Sequence, residues 1–289
     1  VRLTRDAAAA LHLQMAERLW REDRLEQAAA AMSAAFSSGL PASHQFDLQR
    51  MIDAELATRR RCVRVRLSEE LELEAASLQP AWRTAVGAVA CQALRDVTRA
   101  LDVRWPMPVL LTLVPDSNWV TFVHARYGYY ATRSDRLKVV LPPSSAQLGG
   151  VLRAACLHEI AHAGVAVMAQ GRAPRWLDEG IAVWVESDGR PAGDIAGAWP
   201  RFASVDALSG ALEGHAMSLD GRDAAICYAL AGRMVQTEAL RGGVAALQGW
   251  LLRIGAGEPW RRAYGRAFRR PFWRTEREWR RTLREGGRR

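Results

Sequence analysis

The stretch Cys156-Leu157-His158-Glu159-Ile160-Ala161-His162 carries two histidines four residues apart inside an apolar run. Apolar residues at this density suit a buried helix, and positions i and i+4 of a helix lie one turn apart on one face. Two imidazoles so placed can grip a single metal ion, and zinc suits imidazole donors best. Glu159 follows the first histidine directly. A carboxylate there can reach a metal-bound water and act as general base. The chemistry this pattern points to is metal-assisted hydrolysis.

A catalytic zinc site normally has three protein ligands and one open position. A third histidine six residues after His162 would mark a metzincin, but Met168 stands there. A carboxylate is the other common third ligand, and the stretch Pro174-Arg175-Trp176-Leu177-Asp178-Glu179-Gly180-Ile181-Ala182 offers one. Gln170-Gly171-Arg172-Ala173-Pro174 breaks the first helix, and a second starts near Arg175. Asp178 and Glu179 then lie in its first turn, where acidic residues are favoured. A helix–turn–helix of this length can fold Glu179 back onto the two histidines.

Pro-x-Trp-Leu-x-Glu-Gly-x-Ala following H-E-x-x-H resembles the gluzincin metallopeptidases, and most closely the bacterial peptidase MA-like family of that clan. The resemblance implies zinc-dependent peptide-bond hydrolysis, with zinc-bound water attacking the carbonyl. It implies one Zn²⁺ per chain held by His158, His162 and Glu179, with Glu159 as general base and a peptide or protein as substrate. Asp178, at the variable position of the motif, is read as a solvated carboxylate at a helix start. The chain departs from the family pattern at Val183, where many members carry a polar or acidic residue that supports a ligand histidine. A metal-bound histidine donates its second N–H to a partner, so that partner must come from elsewhere, a backbone carbonyl being one source.

In the family, a residue of the C-terminal helices can help hold the oxyanion of the tetrahedral intermediate. Tyr228, within Ala224-Ala225-Ile226-Cys227-Tyr228-Ala229-Leu230, resembles that tyrosine; His215 is the alternative, and a buried structural tyrosine the competing role. The resemblance also implies that the last strand before the metal helix, about 136–141, accepts the peptide substrate as an added strand. Tyr127, Tyr129 and Tyr130 precede it.

Chain length, 289 residues, allows one large domain or two smaller ones. With 49% apolar and 25% charged residues, the composition is that of a globular protein. The net charge is +9 and Lys138 is the only lysine. Such a charge permits contact with an anionic surface, but no nucleic-acid motif accompanies it, so no specific nucleic acid is expected. No run of 18 uncharged apolar residues is present, so no transmembrane segment is expected. The chain starts at Val1, which is compatible with a removed leader, and an envelope or periplasmic setting is as compatible as a cytoplasmic one. Cys62, Cys91, Cys156 and Cys227 match neither a zinc ribbon nor C-x-x-C; two disulfides or four thiols both fit. Cys156 falls nearly opposite His158 on the helix and reads as core.

The elements that must position these residues give an α+β reading. Residues 1–57 form a helical segment, with an apolar stripe of Leu11, Met15, Leu19 and Trp20 and a second helix from Leu25 to Phe36. This pair resembles a single tetratricopeptide-like hairpin and is a candidate surface for a protein partner. Residues 58–289 would form the gluzincin-like domain. Cys62–Leu67 alternates as a half-buried strand, a helix spans Pro80–Leu101, and Pro108–Val114 reads as a buried strand. Further strands over 118–141 precede the metal helix, and helices dominate beyond Val185. A catalytically weak or inactive protein that keeps the same fold and binds through its N-terminal helices is the alternative function; an intact Glu159 argues against it, because a binding module needs no general base.

Overall fold

The computed structural model describes residues 4–22, 24–41, 46–60, 62–76, 80–113, 129–132, 137–141, 149–190, 204–214 and 221–286. Tyr127, His215 and the expected strand region 118–128 lie outside the described residues. The fold is α+β. Ten described helices accompany one five-stranded mixed sheet. The chain divides into two compact units, one built from Val1–Cys91 and Met107–Leu152, the other from Gln92–Pro106 and Arg153–Arg289.

In the first unit, α1 (Arg5–Arg21) begins at Thr4, whose hydroxyl accepts from the Ala7 amide at 3.3 Å. It forms a hairpin with α2 (Leu25–Ser37). Ala16, Leu19, Ala28, Ala31 and Met32 are buried between them, together with Ile52 of α3 (Phe46–Arg59). The inner face of α1 therefore runs through Ala9, Ala16 and Leu19. Leu11 and Met15 of the expected stripe are exposed, at 53% and 39%. The Trp20 indole donates to Glu55 at 3.3 Å and ties α1 to α3.

The sheet contains β1 (Cys62–Arg66), β2 (Leu71–Ala76), β3 (Val109–Leu113), β4 (Tyr129–Thr132) and β5 (Leu137–Leu141), in the spatial order β1-β2-β3-β5-β4. β2 runs parallel to β3 and β3 parallel to β5, while β1 and β4 pair antiparallel at the two ends. β2 is not among the strands expected from sequence. Its Leu71, Leu73 and Ala75 are buried. Glu74 is buried as well, and is stabilised by Arg64 at 3.0 Å and the Thr112 hydroxyl at 3.1 Å. The expectation that the last strand before the metal helix takes an added strand is corrected here. β5 is paired on both sides, so its backbone hydrogen-bonding edges are already filled.

α4 (Pro80–Leu101) matches the span expected from sequence. The second unit holds α5 (Gly149–Ala169) from Arg153 onward, α6 (Arg175–Glu186), α7 (Val205–Gly214), α8 (Gly221–Gly255), α9 (Trp260–Ala267) and α10 (Phe272–Gly286). α8 is kinked at Gly243, whose φ of +72° suits a residue without Cβ. Trp176 of α6 is buried among Trp250, Trp260, Phe272 and Trp279, with ring centroids 5.8 to 6.1 Å away. These C-terminal aromatics are packing anchors, whereas Trp273 is 57% exposed. Among the described residues no helix is long and apolar enough to cross a membrane. All four cysteines are free thiols, with Cys156 and Cys227 buried.

Candidate metal centre

The central helix α5 is buried around almost its whole circumference from Leu152 to Ala169. Apolar residues on every side of the helix explain that burial, and among them the polar residues His158, Glu159 and His162 are buried too. The helix stops where Gln170 and Gly171 both take positive φ, +50° and +68°. The Gly171 amide caps the Ala166 carbonyl at 3.1 Å, the left-handed ending typical of helix C-termini. Pro174, extended at φ −65° and ψ 147°, then starts α6. This turn returns α6 so that Glu179 faces the two histidines.

Three atoms converge. His158 Nε2 and His162 Nε2 lie 3.2 Å apart, and Glu179 Oε2 sits 3.5 Å from the first and 3.3 Å from the second. Tetrahedral ligands with metal bonds of about 2.0–2.1 Å lie about 3.3–3.4 Å from one another, so the triangle has the size such an ion requires. Glu179 Oε2 is fully buried against the two imidazole nitrogens, a setting that is costly unless a positive charge meets it. Among the described residues this trio is the group of His, Cys, Asp and Glu side chains able to hold a metal ion. The donor set fits a metal of the zinc type.

The outer nitrogens are held by carboxylates. His162 Nδ1 lies 2.8 Å from Asp178 Oδ1, and His158 Nδ1 lies 3.0 Å from Glu186 Oε2. An ionised carboxylate only accepts, so each Nδ1 is the donor and each Nε2 is turned toward the partner ligands. Asp178 is therefore not a solvated helix-start residue. It is buried, and besides His162 it meets Arg175 at 3.2 Å. The support missing at Val183 comes from two side-chain carboxylates rather than from a backbone carbonyl. Arg175 also reaches Glu179 Oε1 at 2.5 Å.

Electrostatics in the metal-free site follow from this crowding. Burial pushes the His158 pKa down, but hydrogen bonds to Glu179 and Glu186 outweigh it and raise the value to about 9. For His162 burial is again outweighed, here by the charges of Asp178 and Glu179, and the pKa rises well above 6.5. Burial would raise Glu179, yet the His162 charge and both imidazole hydrogen bonds hold it well below 4.5. Glu159 is raised above 4.5 by burial, the two histidines opposing it. Cys156, whose thiol is pushed up to about 12 by burial, stays a neutral core group.

Tyr228, on α8, places its ring 6.5 Å from that of His158. Burial, helped by the Glu179 charge, raises its pKa, so the phenol keeps its proton and can donate. α8 also backs α6 directly. A Cβ on Gly180, next to Glu179, would lie 2.6 Å from the Ala231 carbonyl oxygen and 2.7 Å from Val235 Cγ2. The glycine of the Glu-Gly pair is what lets the two helix backbones approach.

No protein-family model matches the sequence, and no curated protein matches it closely.

Proposed function

We propose that this chain is a zinc-dependent peptidase of the gluzincin type that hydrolyses a peptide or protein substrate. The observation that carries the reading is the buried convergence of His158 Nε2, His162 Nε2 and Glu179 Oε2 at mutual distances of 3.2, 3.3 and 3.5 Å, with Glu159 one residue from the first ligand. His158, His162 and Glu179 would hold the ion. When bound, zinc supplies Lewis acidity, lowering the pKa of a coordinated water and polarising a carbonyl.

The chain's own residues would do the rest. Glu159, raised by burial and so a stronger base than an ordinary carboxylate, takes a proton from the attacking water. It returns that proton to the amine nitrogen as the C–N bond breaks. The un-ionised Tyr228 hydroxyl donates to the carbonyl oxygen as negative charge develops there. The N-terminal helices α1 to α3 supply none of these groups and are proposed as a surface for a protein partner.

The test is cleavage of a peptide library by the zinc-loaded protein, with and without chelator and with Glu159→Gln. Cleavage that chelator abolishes, zinc restores and Glu159→Gln lacks would support the reading. Metal binding without cleavage of any peptide would favour the binding-protein alternative.

A further inference from the structure

α6 presents more than a ligand to the centre. Arg175, Asp178, Glu179 and Glu186 fall within an arc of about 100° on one face of this helix. Each makes a separate contact. Asp178 Oδ1 takes the Nδ1 proton of His162 at 2.8 Å, and Glu186 Oε2 that of His158 at 3.0 Å. Arg175 Nη2 holds Glu179 Oε1 at 2.5 Å, while its Nη1 meets Asp178 Oδ2 at 3.2 Å.

We infer that Arg175, Asp178 and Glu186 are positioning residues that set the three ligand atoms before metal arrives. The inference rests on the reading of this site as a metal centre. Its physical basis is that each contact removes one freedom a ligand would otherwise have. A histidine can present either nitrogen and can flip its ring. A carboxylate acceptor at Nδ1 fixes both the tautomer and the ring plane and leaves Nε2 for the metal. A carboxylate can bind through one oxygen or two. With Oε1 of Glu179 engaged by the guanidinium, Oε2 alone is offered, which keeps the coordination number low and a position open. Arg175 reaches both acidic residues, so the support of His162 and the orientation of Glu179 are linked through one side chain.

The three supports differ in setting. The Asp178 side chain is 9% exposed, that of Glu186 19% and that of Arg175 39%. Water can replace a lost contact more easily at the more exposed positions, which orders the expected effects.

The test uses the full chain with Zn²⁺ alone as probe, titrated in competition with a chromophoric chelator, and Co²⁺ as a spectroscopic substitute. Asp178→Asn is expected to weaken Zn²⁺ binding by about 10–100-fold. Glu186→Gln should weaken it less, and Arg175→Met should weaken it while allowing Glu179 to bind through both oxygens. The Co²⁺ protein should show intense visible bands of a low-coordinate ion in the wild type. Those bands should weaken and shift in Asp178→Asn and Arg175→Met. Asp178→Glu, which keeps the charge, should recover part of the affinity lost in Asp178→Asn. A melting-point drop with unchanged Zn²⁺ affinity and an unchanged Co²⁺ spectrum would show that these residues only stabilise the fold, and would overturn the inference. A wild-type chain that binds neither ion would overturn the metal reading itself, a different and separately visible result.

Discussion

Gly180→Ala probes how closely the helix of the proposed third ligand must be seated. An added Cβ would meet the Ala231 carbonyl oxygen at 2.6 Å and the Ala231 carbonyl carbon at 2.9 Å, both of them backbone atoms that cannot rotate away. Ordinary contact begins near 3.4 Å, so α6 and α8 must separate by about 0.8 Å or the chain must strain locally. Val235 Cγ2, at 2.7 Å, can relieve its part by a rotamer change. Overpacking of this kind costs about 1–3 kcal/mol, or roughly 2–10 °C in melting temperature for a chain of this size. Glu179 is the adjacent residue, and a functional group must be held within about 0.5 Å to keep its role. Zinc affinity should therefore fall by roughly tenfold or more, and the melting-point gain on adding zinc should shrink with it. Gly210→Ala is the control. That glycine lies in α7 with nothing within 4 Å of an added Cβ, so the substitution should stabilise by about 0.5–1 kcal/mol through helix propensity alone. The assay is thermal unfolding of both variants with and without zinc, combined with chelator competition. A Gly180→Ala protein that melts and binds zinc like the wild type would refute the close-approach reasoning.

Glu159→Gln should keep zinc and fold but lose about 10²–10⁴-fold in kcat, because an amide cannot accept the water's proton; steady-state kinetics with zinc analysis checks this. Tyr228→Phe should lower kcat by about 10²–10³-fold with KM and melting temperature nearly unchanged. A melting-point drop at constant kcat would assign that tyrosine a structural role. Zinc binding as proposed would displace the imidazole protons, and the His158 pKa is raised to about 9. Affinity should therefore rise with pH up to about 9, by roughly tenfold per pH unit for each proton released, as followed by competition titration. In the metal-free protein the raised His158 pKa contributes stability that is fully present below 6.5 and lost as pH rises toward 9. Its melting temperature should fall across that window, and the zinc-loaded protein should not show the same fall.

The proposed ligands were legible because their signal is local. His158, Glu159 and His162 lie within one turn and a half, and the Gly171 to Pro174 break fixes the return of Glu179. What supports them was harder to read. Asp178 carries the signature of a solvated first-turn acid, and only the fold shows that it meets His162 of α5. Glu186 lies seven residues beyond Glu179, two turns along the same face. That spacing becomes informative only once the direction of the His158 ring is known. β2 was missed because Leu71-Glu72-Leu73-Glu74 offers only two strong apolar residues, and the burial of Glu74 is made tolerable by Arg64 and Thr112 on neighbouring strands. Strand order is non-local as well: nothing within 136–141 shows that β4 will cover its second edge. Leu11 and Met15 fit a helical period, but the inner face of α1 turns through Ala9, Ala16 and Leu19 instead.

Metal content tests the central claim most directly. Elemental analysis of the protein, equilibrated with zinc and freed of excess, should find about one zinc per chain in the wild type and none above background in His158→Ala/His162→Ala. Full zinc occupancy in the double variant, or no zinc retained by the wild type, would contradict the account.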